Sequence, residues 1–244
     1  MTYRKFASRA LTRMTRTGRD TLVARTPDWL RGWLGPIGLR ADMLFVDHGI
    51  FRVAYLNRHR LDADAQRAAQ PTPGQIGRLA NRGLKTIVNL RGARRCGAYW
   101  LEERACKRHG VELVNFTLRS RAAPSKSEIE GARRLLHDIQ YPMLLHCKSG
   151  ADRAGLMSVL YMHVRAGQPI EEARKQLSLR FGHIRQAQTG ILDAFFDRYV
   201  ADNAKAPIAF FDWVEQVYDP QALVEEFQSN SWADRLVDTL LRRE

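Results

Sequence analysis

The segment MLLHCKSGADRAG, residues 143–155, joins a short apolar strand to a helix through a loop that contains glycine. The run 143–147 has the length and composition of a strand buried on both faces of a sheet. Five residues separate Cys147 from Arg153. A strand, a tight loop and a helix N-terminus in this order predict an α/β fold with an anion-binding loop at the end of a central strand.

The loop has the residue types that phosphate chemistry requires. Backbone N–H groups at a helix N-terminus point into one concavity, and the helix dipole favours the negative charge of phosphate there. The same field stabilises the thiolate of Cys147, which is the nucleophilic form of the side chain. Arg153 can bind two phosphate oxygens with its planar fork, and Gly150 permits the sharp turn. We therefore predict that Cys147 attacks a phosphate monoester held by Arg153.

The rest of the chain alternates between strand and helix patterns up to about residue 167. This alternation predicts βαβ units and a central, mainly parallel sheet of four to five strands flanked by helices. The later residues have helical patterns only, which predict a helical C-terminal extension. The predicted strands are 51–56, 84–90, 111–118 and 143–147; the predicted helices are 74–82, 99–109, 126–139, 154–165, 170–180, 191–201, 208–217 and 232–241.

Charge is distributed unevenly along the 244 residues, of which 39 are basic and 26 are acidic, a net charge of +13. We expect a basic N-terminal arm at 1–45, a catalytic domain at 46–200 and a helical C-terminal extension packed on that domain at 201–244. The excess of arginine is typical of a protein with an anionic partner, although a GC-rich genome would produce the same excess. The chain contains no recognisable nucleic-acid-binding module, so nucleic acid is disfavoured as that partner.

Cysteine usage and hydropathy predict a cytoplasmic location. Cys96, Cys106 and Cys147 form neither a zinc pattern nor a disulfide framework, which indicates a reducing compartment. No signal-peptide-like apolar region follows the basic N-terminus, and no stretch approaches the roughly 18 apolar residues of a membrane span. The basic arm either associates with the inner-membrane surface or packs on the domain's own core. No His/Asp cluster has metal-ligand spacing, so we expect no metal and no cofactor.

The pattern His146-Cys147-x5-Arg153 resembles the phosphate loop of the protein tyrosine phosphatase superfamily, in its bacterial dual-specificity branch. The resemblance covers roughly residues 50–167. It implies the phosphotyrosine phosphatase fold, a phosphocysteine intermediate at Cys147, phosphate binding by Arg153 and orientation of the loop by His146. The other loop residues that it implies for substrate binding are Lys148, Ser149, Gly150 and Ala151.

Two departures from the family pattern concern turnover and acid catalysis. The family usually has Ser or Thr directly after the arginine, where the hydroxyl aids release of the thiolate; here Ala154 stands there, so turnover is slowed or Ser149 supplies the hydroxyl. Many relatives carry an acid on a separate mobile loop, but residues 117–125 contain none. Asp152 resembles the loop acid of myotubularin-type lipid phosphatases, which implies that it is the general acid. The alternative is that Asp152 is the N-cap of the following helix.

Basic side chains are expected to surround the mouth of the site, because ligands bind at the carboxyl edge of such sheets. By analogy with relatives, Gln186 positions the hydrolytic water and Arg185 contacts phosphate. The alternative is that the basic residues proposed for the mouth are ordinary solvated surface side chains with no role in binding. The basic residues concerned are Arg91, Arg94, Arg95, Arg119, Arg121 and Lys148.

A strongly positive mouth predicts a substrate with more than one anionic group. Our first hypothesis is therefore a cysteine-dependent phosphatase that acts on an anionic lipid or envelope-related phosphate monoester; some bacterial relatives that the chain resembles are linked to lipid A. Two alternatives stay open. One is a tyrosine or dual-specificity phosphatase that acts on phosphoproteins. The other is a pseudophosphatase that binds phosphate without turnover, which Ala154 and the missing mobile-loop acid favour.

Overall fold

The computed structural model describes residues 56–94 and 96–229. The basic arm at 1–45 and the predicted helix at 232–241 lie outside these ranges. The predicted strand at 51–56 also lies outside them except for Leu56, which is not in a strand.

Five strands form one sheet in the order β1-β2-β5-β3-β4. Only β1 runs antiparallel to its neighbour, so the mainly parallel sheet is confirmed. The sequence AQRAA of β2 has no β-branched residue, and propensity therefore gave no signal for this strand. The strands are β1 (His59–Arg60), β2 (Ala65–Ala69), β3 (Thr86–Asn89), β4 (Glu112–Asn115) and β5 (Met143–Cys147).

The helices that flank the sheet begin at local signals in the sequence. Thr72 and Ser125 close capping boxes with Gln75 and Glu128, at the starts of α1 and α3 respectively. The helices are α1 (Pro73–Ala80), α2 (Gly97–His109), α3 (Lys126–Asp138), α4 (Asp152–Val164), α5 (Ile170–Ala173), α6 (Ile191–Lys205) and α7 (Phe210–Gln216). A further helix covers residues 220–229.

The prediction of one helix over 170–180 was wrong. The chain forms the single turn of α5 and then two 3₁₀ turns, Arg174–Gln176 and Leu179–Phe181. Gly182 ends the second turn in the left-handed region at φ 79°. Side chains from the start of the described chain bind carbonyl groups of this segment, because Asn57 donates to Phe181 and Arg67 donates to Gln176. These long-range bonds replace those of a regular helix and hold the segment beside the loop after β5.

The core lies on both faces of the sheet and holds β5 at its centre. Successive residues of β5 point to opposite faces, so Leu144 packs in one apolar cluster and Leu145 in the other. The larger cluster also includes α4 and extends to Phe195 and Trp213, whose rings are 5.7 Å apart. The C-terminal helices are therefore part of the same core as the strand that leads to Cys147.

None of the helices among the described residues is both long and apolar enough to cross a bilayer.

Candidate active site

Cys147 is the last residue of β5, and the loop 148–151 follows it directly. The side chain is buried, with 2% of its surface exposed. Gly150 adopts φ 77°, and a Cβ atom there would lie 2.7 Å from the backbone carbon of Ala68. Only glycine fits this position, so the loop can close tightly against β2. The first residue of α4 is Asp152, which places a helix N-terminus at the end of the loop.

Two side chains hold the carbonyl groups of the loop from one side. The Nη2 atom of Arg67 donates to the carbonyls of Gly150 and Ala151 at 2.8 and 2.9 Å. The Nδ2 atom of Asn57 donates to the carbonyl of Ser149 at 3.0 Å. Because the C=O and N–H of a trans peptide point to opposite sides, these contacts turn the next three N–H groups toward the other side of the loop. That arrangement suits an anion cradle.

Arg67 is fully buried in β2 and was not identified from the sequence. Its Nη1 atom also donates to the backbone carbonyl of Gln176 at 2.5 Å, and its guanidinium lies 4.1 Å from the centre of the Phe181 ring. Burial lowers the pKa of Arg67 to about 10, against the opposing effects of Cys147 and Asp152.

His146 is fully buried and contacts both the loop and helix α2. Its Nδ1 atom lies 3.2 Å from the carbonyl oxygen of Cys147, and its Nε2 atom lies 2.7 Å from Oε1 of Glu102. Gln70 donates to the other oxygen of Glu102 at 2.7 Å and accepts a hydrogen bond from Arg91. The ring of His146 is held beside the nucleophile by its burial and by this close contact with Glu102, in which Nε2 and Oε1 lie within ion-pair distance but not in hydrogen-bond geometry. Glu102 and Gln70 are far apart in sequence, and no local pattern marks them.

Arg153 lies half-buried in the first turn of α4. Burial lowers the pKa of its guanidinium; the charge of Cys147 raises it, and Arg91 and Arg94 lower it. The Nη1 atom of Arg153 donates to the carbonyl of Leu90 at 3.4 Å, and the N–H of Leu90 donates to the carbonyl of His146, which places the guanidinium beside the end of β5. Arg91 is only 6% exposed, so it lies beneath the surface and not in a solvated mouth.

Asp152 is not the N-cap of α4, because Ala151 has that position and no side chain caps the helix. The Asp152 carboxylate instead meets His183, whose Nδ1 atom lies 2.8 Å from Oδ1. The Nε2 atom of the same ring lies 2.7 Å from Oδ2 of Asp193. Burial alone would lower the pKa of His183, but the hydrogen bonds and charges of the two carboxylates outweigh it and raise the pKa to about 9.

The ion pairs of His183 predict a pH dependence of stability. The pKa is about 9 in the folded protein and about 6.5 in an unfolded chain. The pairs therefore contribute fully below about pH 6.5, and their contribution is lost as the pH rises through about 9. Relative to His183→Gln, the wild type is expected to lose on the order of 2 kcal/mol of unfolding free energy over this window. Urea unfolding of both proteins at the two ends of the window measures this, and parallel pH profiles would contradict it.

Other predicted site residues lie apart from these contacts. Arg119 is exposed and forms a two-pronged ion pair with Glu128, at 2.9 and 3.2 Å. Arg185 pairs with Asp197. The segment that contains Gln186 does reach the loop, but it does so through His183, which the sequence did not mark. The roles of five exposed residues stay predictions: Arg119, Arg121, Lys148, Ser149 and Gln186. Arg95 lies outside the described residues.

A comparison with protein families decides the kind of protein. The PTP-NADK family, described as DSP-PTPase phosphatase fused to NAD+ kinase, matches residues 55–191, more than half of the 244 residues. The chain belongs to this family. It is a phosphoric monoester hydrolase of the dual-specificity, tyrosine phosphatase-like type, and the resemblance expected from the loop sequence is confirmed.

Solved structures of other proteins resemble this PTP-NADK member at low sequence identity. TpbA from P. aeruginosa is 19% identical, with a TM-score of 0.51 over 66% of this chain and 89% of that chain, which shows the same fold. PTPMT1 is 18% identical, with a TM-score of 0.44 over 61% and 99%. A putative phosphatase from Shewanella putrefaciens CN-32 is 14% identical, with a TM-score of 0.49 over 63% and 95%. A comparison with curated proteins found no match.

Among residues 56–94 and 96–229 of this PTP-NADK member, no group of three or more His, Cys, Asp or Glu side chains could hold a metal ion.

Proposed function

We propose that this phosphatase hydrolyses phosphate monoesters through a phosphocysteine intermediate on Cys147. The observation that carries the proposal is the position of Cys147 at the end of a central buried strand, directly before a loop whose carbonyls are held by Arg67 and Asn57. The outward carbonyls leave backbone N–H groups for the phosphate oxygens, and the N-terminus of α4 favours their charge.

The proposed reaction has two steps, and the proton that Asp152 gives up in the first step returns to it in the second. First, Sγ of Cys147 bonds to phosphorus, the bond to the leaving oxygen breaks, and Asp152 gives that oxygen a proton. Second, the oxygen of a water molecule bonds to phosphorus, the P–S bond breaks, and the proton of the water passes to Asp152. The thiolate and the protonated Asp152 are restored after inorganic phosphate leaves.

Arg153 is proposed to hold the phosphoryl group throughout both steps. It follows Asp152 in the first turn of α4, close enough to Cys147 for the two charges to influence each other. A guanidinium can bind two equatorial oxygens in parallel and stabilise the charge of the transition state. Ala154 is fully buried and has no hydroxyl group, so we expect slow release of the thiolate in the second step.

We propose an anionic lipid or envelope-related substrate. The net charge of +13 supports an anionic partner, and Arg91 and Arg94 add positive charge near Arg153. Further groups proposed for substrate binding are Lys148, Ser149, Gly150, Ala151, Arg119, Arg121 and Gln186, and the buried His146 is proposed to act through the loop that it orients. We also propose that the catalytic unit spans 46–200, that the protein acts in the cytoplasm, and that the basic arm at 1–45 associates with a membrane surface.

A panel of phosphate monoesters tests the substrate class. We expect turnover of p-nitrophenyl phosphate, and a kcat/KM at least about 10-fold higher for phosphoinositides, phosphatidylglycerophosphate or lipid A in mixed micelles than for a phosphotyrosine peptide. A substrate with several anionic groups gains binding energy from the arginines near the loop. A phosphotyrosine peptide whose flanking residues are neutral gains little from them. A higher kcat/KM for the peptide would contradict the lipid proposal and support action on phosphoproteins. Inactivity towards every ester would contradict the phosphatase proposal itself.

A further inference from the structure

His183 lies between two carboxylates that belong to different helices. It reaches Asp152 in the first turn of α4 at 2.8 Å and Asp193 in the first turn of α6 at 2.7 Å, and its own side chain is 1% exposed. A carboxyl oxygen that carries no proton only accepts hydrogen bonds, so while Oδ1 of Asp152 and Oδ2 of Asp193 are unprotonated both ring nitrogens donate and the ring carries a positive charge. This also holds when the acid proton of Asp152 is on its other oxygen, Oδ2. A buried imidazolium with two carboxylate partners has the compensation that a buried charge needs.

The position of His183 is coupled to that of the phosphate loop. Asn57 donates to the carbonyl of Ser149 in the loop and also to the carbonyl of Phe181, two residues before His183. The Phe181 ring in turn packs against the guanidinium of Arg67, which holds the next two loop carbonyls. The imidazole is therefore fixed relative to the loop by contacts outside its own ion pairs.

We propose that His183 is a positioning residue for Asp152. It holds the Oδ1 atom of Asp152, which leaves Oδ2 to give the proton to the leaving oxygen. Its positive charge stabilises the carboxylate that remains once the proton has gone, and Asp193 keeps the ring oriented and charged from the other side. His183 retains both ring protons during the two steps. The inference rests on the proposed function, in which Asp152 is the proton donor.

Phosphate esters with good and poor leaving groups separate this role from a merely structural one. A proton donor matters most when the leaving oxygen is a poor leaving group. In His183→Gln, kcat/KM is expected to fall about 30- to 100-fold for an alkyl phosphate and at most about 3-fold for p-nitrophenyl phosphate. Asp152→Asn should show the same selective loss. The double variant should be no worse than Asp152→Asn alone, because the two residues act as one unit.

The matched control is His137→Gln, since His137 is an exposed residue in the last turn of α3. Its kcat/KM should equal that of the wild type for every ester. A loss in His183→Gln that is equal for all esters would overturn the proposal and leave His183 a structural role. If only Asp152→Asn shows the selective loss, His183 has no part in proton transfer. If Asp152→Asn shows no selective loss, the general acid of the proposed function is wrong, and the inference about His183 falls with it.

A second variant covers the case in which His183→Gln does not fold, as judged by circular dichroism. Asp193→Asn retains the imidazole but removes the carboxylate that orients it, and it should show the same selective loss to a smaller degree, about 5- to 20-fold for the alkyl phosphate. An equal loss for all esters in Asp193→Asn, or no loss, would overturn the proposal.

Discussion

Cys147→Ser is expected to lower kcat/KM for p-nitrophenyl phosphate by at least about 10⁴-fold. A serine hydroxyl is almost wholly protonated at neutral pH, so the nucleophile is lost although the side chain keeps nearly the same size. The loop amides and Arg153 are unchanged, and the variant should still bind phosphate with an affinity within about 3-fold of wild type. Steady-state assays measure the rate, and mass spectrometry after rapid quenching should find covalent phosphate on the wild type alone.

The control for this variant is Cys96→Ser. Cys96 is the N-cap residue of α2, where serine is a favoured residue, and it lies outside the loop. It should retain full activity. If Cys147→Ser retained more than about 1% of the wild-type rate, or if Cys96→Ser lost activity to the same degree, Cys147 would not be the nucleophile.

Arg67→Met is expected to destabilise the protein by about 3–5 kcal/mol and to lower kcat/KM at least about 10-fold in molecules that remain folded. Methionine keeps much of the buried stem but removes the guanidinium. The carbonyls of Gly150 and Gln176 then lose the guanidinium as donor, and the carbonyl of Ala151 keeps only the N–H of Gly155. Without that restraint the loop can turn its amides away from phosphate. Urea unfolding gives the free energy, and p-nitrophenyl phosphate assays below the unfolding transition give the rate.

The matched control is Arg60→Met on the neighbouring strand β1, where the side chain is exposed. We expect its unfolding free energy to change by no more than about 0.5 kcal/mol and its activity to remain that of the wild type. Unchanged stability and activity in Arg67→Met would show that the loop keeps its conformation without the guanidinium, and the proposed role of Arg67 would be wrong.

Elements whose signals are local were predictable from the chain. The strand 143–147 was predicted with its observed ends, because a run of five residues, four of them apolar, precedes a glycine-containing loop. Helix α3 begins where Ser125 and Glu128 form a capping box, within the range that was predicted. By contrast β2 has a weak strand composition, and its place in the sheet follows from pairing with β1 and β5.

The residues of the candidate site also fall into two groups, those that local sequence marks and those that only the fold brings together. Cys147, Arg153, Gly150 and Asp152 stand within seven residues of one another, and a loop before a helix N-terminus brings them together by local geometry alone. The segment after Gly182 was expected to act through Gln186, yet His183 is the residue that reaches Asp152. Nothing in the local sequence distinguishes that histidine, because its partners are 31 and 10 residues away.

Local patterns in the chain were enough to predict the α/β class and the strand–loop–helix unit, and they also marked the nucleophile and the arginine of the proposed phosphatase chemistry. Hydrophobic periodicity and turn residues act over a few positions, so they can be found in a single chain. The residues that surround the loop come together only in the folded chain: Arg67 and Asn57 contact its carbonyls, Glu102 lies against His146, and His183 contacts Asp152. Buried polar groups need partners wherever the fold places them, and for the loop carbonyls and the His183 ring those partners come from distant elements.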